Sequence, residues 1–251
     1  MQNFIRKIVQ AIGKPLEKLS KKPHSSVGSS APSETVVQVG EKTSEITLPE
    51  ARVRKVLEKI ETQGLLSLIP NLSGRKVLQI SASGARLWES LKSKGCPLII
   101  DFDANPLFGT QLPAVKPSGV HLVRGSLQAA PFQNESFEVL CFLGATPRVD
   151  QLPAWAEEIS RLTKEGARIL ISILHPFFEQ KLNPRQGFQH SIADYFMGLR
   201  KVGVYVEEIK ELKVDDQVRS LFSPAKEDKD FIQMNGFPAV LCFKAVRLKR
   251  R

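Results

Sequence analysis

The chain has 251 residues, 42% hydrophobic and 25% charged, enough for one sizeable core plus extensions in an ordinary globular protein. No apolar run reaches the length of a membrane span, and the first residues lack the continuous apolar stretch of a signal peptide. The net charge of +10 is concentrated at the ends, and the middle carries no basic stripe interleaved with aromatics, which argues against a nucleic-acid groove.

Residues 1–23 form the first segment. Phe4, Ile5, Ile8, Val9, Ile12, Leu16 and Leu19 recur at three- and four-residue steps, predicting an amphipathic helix that Gly13 and Pro15 weaken in its middle. Arg6, Lys7, Lys14, Lys18, Lys21 and Lys22 face a single acid, Glu17. Such a helix suits an anionic membrane surface or an acidic protein partner, reached through residues 1–22. Residues 24–49 are rich in Ser, Gly, Pro and Thr and read as a flexible linker.

From Glu50 onward the pattern becomes regular, and residues 50–251 are expected to form the main domain. A helix over "ARVRKVLEKIETQGLLSLI" leads through Gly74 into the strand "KVLQI". A helix from Ala85 to Lys94 follows, then strands "CPLIIDFD", "GVHLVRGS" and "SFEVLCFL". The helix "PAWAEEISRLTKEG" is expected to close at Gly166, and the strand "ARILISILHP" to stop at Pro176. A helix over "SIADYFMGLRKVG" and strands "VYVEEIKEL" and "PAVLCFKAVRL" complete the chain. Continuously apolar strands alternating with helices predict a doubly wound α/β sandwich. Ligands in such sheets bind beyond the carboxyl ends of the strands, where the strand order reverses. Cys96, Cys141 and Cys242 are widely spaced and have no metal-ligand pattern, as expected of buried reduced thiols in a cytoplasmic protein.

"LIPNLSGRKVLQISASGARL", "LIIDFDANP", "VRGSLQAAPFQNESFEVLCF" and "WAEEISRLTKEGARILISILHP" follow one another in order across the domain. With "HSIADYFMGLRKVGVYVEEIKE" and "FPAVLCFKA", this run resembles class I S-adenosylmethionine-dependent methyltransferases of the small-molecule and lipid type. The resemblance spans roughly residues 50–247. It implies a Rossmann-like, seven-stranded, mostly parallel sheet with an antiparallel last strand, and S-adenosyl-L-methionine as cofactor.

The resemblance also assigns residues, and the chain departs from the pattern at several. Gln79 stands where the family has an acid at the end of its first strand. The glycine positions of the loop fall on Ser81, Ser83 and Ala85, with Gly84 displaced by one. Asp101, 22 residues after Gln79, corresponds to the acid that holds the cofactor's ribose hydroxyls, with Asp103 as a nearby substitute. Phe102 and Leu127 fall among the cofactor-binding positions, and Ser126 stands where an acid receives the adenine amine. Five small residues from Ser81 to Ala85 permit close approach of a ligand, although positive φ at Ser or Ala would be strained by roughly 1–2 kcal/mol each. The degenerate loop reads equally as a tight turn without a ligand, and the competing reading of Asp101 is a helix N-cap ahead of "ANP".

His175 and His190 lie where the family places substrate-side residues, and either could act as a base or orient a substrate. Capping and surface roles are the competing reading. Tyr195 is core or cleft lining, and Trp88, Phe177 and Phe178 pack or line a pocket. The expected activity is methyl transfer to a small-molecule or lipid-like substrate. The other reading is a catalytically inactive methyltransferase-fold protein that serves as a binding or scaffold module. The expected location is cytoplasmic, with peripheral membrane contact through the N-terminal helix.

Overall fold

The computed structural model describes residues 50–81, 86–104, 116–144, 151–182, 189–222 and 227–249. The expected N-terminal helix and the linker lie outside the described residues. Helix α1 (Glu50–Leu66) precedes β1 (Lys76–Ser81), α2 (Trp88–Ser93), β2 (Leu98–Asp103), β3 (Val120–Arg124) and β4 (Phe137–Leu143). Then come α3 (Leu152–Leu162), β5 (Thr163–Leu174), α4 (Pro176–Leu182), α5 (Ile192–Lys201), β6 (Val204–Lys213), α6 (Glu227–Met234) and β7 (Pro238–Arg247). The strands form one seven-stranded sheet in the order β3-β2-β1-β4-β5-β7-β6. β1 to β5 pair in parallel, and β7 runs antiparallel to both β5 and β6. The order reverses between β1 and β4, so the carboxyl ends of β1, β2 and β4 meet at one crevice.

Strand alternation divides the core between the two faces. Val77, Ile99, Val139, Cys141, Leu170, Val240 and Cys242 face one side, with Val56, Ile60 and Leu65 of α1 and Trp88 and Leu91 of α2. Leu78, Ile80, Phe102, Leu140, Phe142, Ile171 and Phe243 face the other, beneath Trp155 and Ile159 of α3 and Tyr195 and Leu199 of α5. Gly64 lets α1 come close to β6, since a Cβ there would stand 2.0 Å from Leu212 Cδ1.

Three boundaries differ from the expectation. The α3 helix ends at Leu162, before Gly166. The Thr163 hydroxyl takes the Ile159 carbonyl, and the amides of Glu135 and Ser136 take those of Arg161 and Leu162. Thr163 then pairs with Phe137, and Gly166, at φ +75°, lies where the β4–β5 register shifts. The second difference is that α2 starts at Trp88, with Arg86 and Leu87 before it in irregular backbone. Third, Pro176 opens a short helix besides stopping the strand. The His175 carbonyl accepts from Glu179 N, and Nδ1 accepts from Phe177 N at 3.2 Å, so His175 caps that helix. A proline at the first helical position is the sequence signal for α4.

Glu61 of α1 is buried under the sheet, where it accepts from the Ser172 hydroxyl of β5 and from the Gly144 amide beyond β4. Burial pushes its pKa up to about 7 against the opposing Ser172 and Gly144 hydrogen bonds, with Glu58 adding to the rise. A carboxyl whose pKa is higher in the folded than in the unfolded chain favours folding below the unfolded value and loses that contribution as pH rises through the folded one. The ionised form therefore weakens the fold by about 3 kcal/mol once the folded pKa is passed. Glu61→Gln is expected to remove this dependence. In urea melts across acid to mildly alkaline pH, the variant should gain on the parent from about pH 4.5 to 7 and hold a constant advantage above.

Candidate functional site

The β1–β2 register sets Gln79 opposite Asp101 and Ser81 opposite Asp103. By the alternation of both strands these four side chains share the face covered by α2, whereas Phe102 points to the opposite face. There its ring packs edge-on against Phe132, with centroids 5.5 Å apart, and beneath Gly125. Phe102 is thus a core residue on the far side of the sheet from Asp101.

Asp101 is 3% exposed, and donors from its own chain surround the carboxylate. Oδ1 accepts from Gln79 Nε2 at 3.1 Å and from Ser81 Oγ at 3.2 Å. Oδ2 accepts from Trp88 Nε1 at 2.9 Å and from Arg86 Nε at 3.3 Å. The Arg86 guanidinium also lies over the Trp88 ring, 5.3 Å from its centroid. Burial pushes the pKa of Asp101 above the usual aspartate range. Opposing that push are the Gln79 hydrogen bond, the charge of Arg86, and the Ser81 and Trp88 hydrogen bonds. Among the described residues Asp101 caps no helix. It joins β1, β2 and the start of α2.

Gln79 links the same elements from its other end. Its Oε1 accepts from Leu87 N at 2.9 Å, and its Nε2 also reaches Ser81 Oγ at 3.0 Å. An amide can donate to Asp101 and accept from Leu87 at once. The acid that the family carries there could only accept. Asp103 ends β2 and is bound by Arg124 of β3, whose Nη2 lies 3.1 Å from Oδ2. Each acid at the end of β2 thus has an arginine of its own.

The remaining sequence candidates fall into three groups. Ser83, Gly84 and Ala85 lie outside the described residues. Ser126 precedes the turn Leu127–Ala129, and its hydroxyl donates to Gln128 Oε1 at 2.7 Å, while Leu127 is buried. His175 and His190 both lie beyond the carboxyl end of β5, and both are buried. The His175 Nε2 sits 3.3 Å from Glu211 Oε1, a partner that, with its capping bond, fixes the ring. His190 and Trp155 pack edge-on against Tyr195, at 5.2 Å and 6.2 Å. His190 Nε2 and Trp155 Nε1 have no hydrogen-bond partner among the described residues. Sequence reasoning missed Arg86 and Trp88 as partners of Asp101; a basic and an indole donor directly after the small-residue loop were the available signal. Among the described residues no cluster of His, Cys, Asp and Glu could hold a metal ion.

The test of a nucleoside cofactor is the acceptor capacity of Asp101. A carboxylate has about four acceptor positions, and four internal donors meet this one. The two hydroxyls of a ribose do not fit until two of those donors leave.

No protein-family model and no curated protein matches the chain. Solved structures do match. An S-adenosylmethionine-dependent methyltransferase from Mesorhizobium loti, 14% identical, aligns over 75% of this chain and 98% of its own with a TM-score of 0.58. A Haloferax volcanii protein assigned as a methyltransferase, solved with the Trm112 methyltransferase activator, aligns at 16% identity over 80% and 95% with a TM-score of 0.62. Geranyl diphosphate methyltransferase in complex with GPP and sinefungin aligns at 13% identity over 76% and 78% with a TM-score of 0.54. The chain has the class I, Rossmann-like fold of S-adenosylmethionine-dependent methyltransferases.

Removing the carboxylate strands three buried donors and the half-buried, charged Arg86. Asp101→Ala is expected to destabilise the protein by roughly 3–5 kcal/mol, the range for breaking a buried charged pair from one side. Asp101→Asn keeps one acceptor oxygen and should lose less. Chemical denaturation of the two variants beside the parent checks the order.

Proposed function

We propose that the protein transfers a methyl group from S-adenosylmethionine to a small-molecule or lipid-like acceptor. The observation that carries this reading is the position of Asp101. It lies at the carboxyl edge of a methyltransferase-fold sheet, on β2 beside β1, at the point where strand order reverses. The sulfonium of such a cofactor arrives already activated, so the protein's part is to align donor and acceptor and exclude water, with no obligatory base. Geranyl diphosphate methyltransferase, which shares the fold, is an example with an isoprenoid acceptor. A second reading, a catalytically inactive binding or scaffold module, is favoured by the four internal donors on Asp101. Calorimetry of the full chain with S-adenosylmethionine and S-adenosylhomocysteine separates the two. Saturable binding below millimolar concentration is expected; no heat with either ligand at millimolar concentration would leave the scaffold reading.

We also read residues 1–22 as the segment that brings a cytoplasmic protein to an anionic membrane surface. Its apolar periodicity and local net charge, six basic residues against Glu17, support this. Each basic residue near such a surface contributes roughly 1 kcal/mol. No described helix is long and apolar enough to cross a membrane. The full chain is expected to sediment with phosphatidylserine vesicles and a chain lacking residues 1–22 is not. Equal partitioning would point to an acidic protein partner instead.

A further inference from the structure

Among the described residues the buried acids are Glu61, Asp101, Asp103 and Glu179. Three of them are provided for. Asp101 has its four donors, Asp103 has Arg124, and Glu61 has the Ser172 hydroxyl and the Gly144 amide. Glu179 of α4 is 9% exposed and has one donor. Its Oε2 accepts from Gln189 N at 3.2 Å, while its Oε1 takes no donor among the described residues. Burial pushes its pKa above the usual glutamate range, and the Gln189 bond alone opposes that rise, with no cation beside it. A link to Gln189 N needs only a neutral acceptor, so the charge of Glu179 is the part the chain leaves unused.

The fold sets the place of this carboxylate. Helix α4 leaves the end of β5 at Pro176, and Gln189 lies where the chain enters α5, so Glu179 stands beyond the carboxyl end of β5. The residue after Gln189 is His190, also buried, whose Nε2 has no partner. Two polar groups, each at least nine-tenths buried, are thus unfilled around one short stretch, where native chains leave few such groups. A carboxylate held out of water without a cation is costly, and a bound cation offsets that cost.

We propose that Glu179 anchors the amino group of an amine-bearing acceptor, small or lipid-like. This rests on the methyltransferase reading above and names its acceptor class. An ammonium brings three donors and a charge, and one N–H suits the open Oε1 in a charge-assisted hydrogen bond. An alcohol of the same shape brings a donor without the charge. In the sheet order β5 lies three strand spacings from β2, about 14 Å. An adenosyl ligand at β2 and an amine at β5 therefore have separate places along the carboxyl edge.

Isothermal calorimetry on the full chain, saturated with S-adenosylhomocysteine, tests the proposal. Ethanolamine, hexylamine and phenethylamine are each compared with the hydroxyl counterpart, ethylene glycol, hexanol and 2-phenylethanol. The parent is expected to bind at least one amine tenfold or more tightly than its counterpart, the equivalent of one charge-assisted hydrogen bond. Glu179→Gln keeps an acceptor for Gln189 N and removes the charge, and should erase that preference while S-adenosylhomocysteine binds as before. Glu211→Gln removes a charge of the same sign beside His175, from a half-exposed position, and should leave the preference intact. Where Glu179→Gln does not fold, the amine-against-alcohol comparison on the parent and on Glu179→Asp decides, with a weakened but surviving preference expected of the shorter acid. A parent that binds S-adenosylhomocysteine and shows no preference for any amine overturns the proposal and leaves the cofactor reading in place. A preference that persists in Glu179→Gln, or that Glu211→Gln abolishes equally, overturns it too, because the charge at Glu179 would then not be its source. An amine preference in a chain that does not bind S-adenosylhomocysteine would uphold the amine site and remove the methyltransferase reading.

Discussion

A buried negative charge is the constraint around which the β1–β2 end of this molecule is arranged. Asp101 sits within the protein where an isolated carboxylate would be very unfavourable, and the surrounding chain supplies a donor in every direction its lone pairs point. The identities of the neighbours follow from that. Position 79 needs a side chain that donates to Asp101 and accepts from the Leu87 amide, a pairing that glutamine makes and glutamate cannot. Ser81 must be small and carry a hydroxyl. Trp88 has to bring its indole N–H down from the first turn of α2, and this ties the helix to the sheet. One carboxylate thus ties β1, β2 and the start of α2 together. A half-satisfied network of this kind would be worse than an apolar one, which is why its members are expected to respond to substitution together.

The same arrangement gives two meanings to the departures from the family pattern. Read one residue at a time, glutamine for an acid at position 79 looks like the loss of a ligand anchor. In the folded chain it prevents two carboxylates from facing each other across paired strands at Gln79↔Asp101. Asp103, the other acid at the end of β2, is paired with Arg124 on β3 in the same way. At β2 the carboxyl edge therefore carries acids with their counter-ions already in place, and electrostatic attraction for a cationic ligand is correspondingly reduced there.

Much of the fold was legible in the chain, because strand and helix periods are local. All seven strands follow from apolar runs and the spacing of breakers, the antiparallel last strand was implied by the family resemblance, and the glycine stop at Gly203, φ +78°, follows α5 as expected. The reading failed where a partner distant in sequence decided the matter. The end of α3 is set by the Glu135 and Ser136 amides rather than by Gly166, and α4 grows from a proline that also ends a strand. The candidate site was legible as a position and illegible as a state. Register and the count from Gln79 place Asp101 at the crevice, but which donors fill its lone pairs depends on rotamers of Arg86 and Trp88 that no pattern encodes. At His175 the competing capping reading has a counterpart in the Phe177 N bond to Nδ1, while the Glu211 contact at Nε2 comes from β6, distant in sequence.

The three cysteines lie within one face of the core, Cys96 just before β2, Cys141 in β4 and Cys242 in β7, and none forms a disulfide. Burial pushes the Cys141 thiol up to about 12, with the nearby Cys96 adding to the rise, and burial likewise raises Cys242 and Cys96. Thiolate, the form that reacts with alkylating and oxidising reagents, is thus almost absent at neutral pH while the sheet is closed. Cys141 is in the middle strand and Cys242 in the strand next to the edge, so modification of each requires a different part of the sheet to open. The thiols amount to internal clocks: the rate at which each is consumed under native conditions reports the free energy of opening its own region.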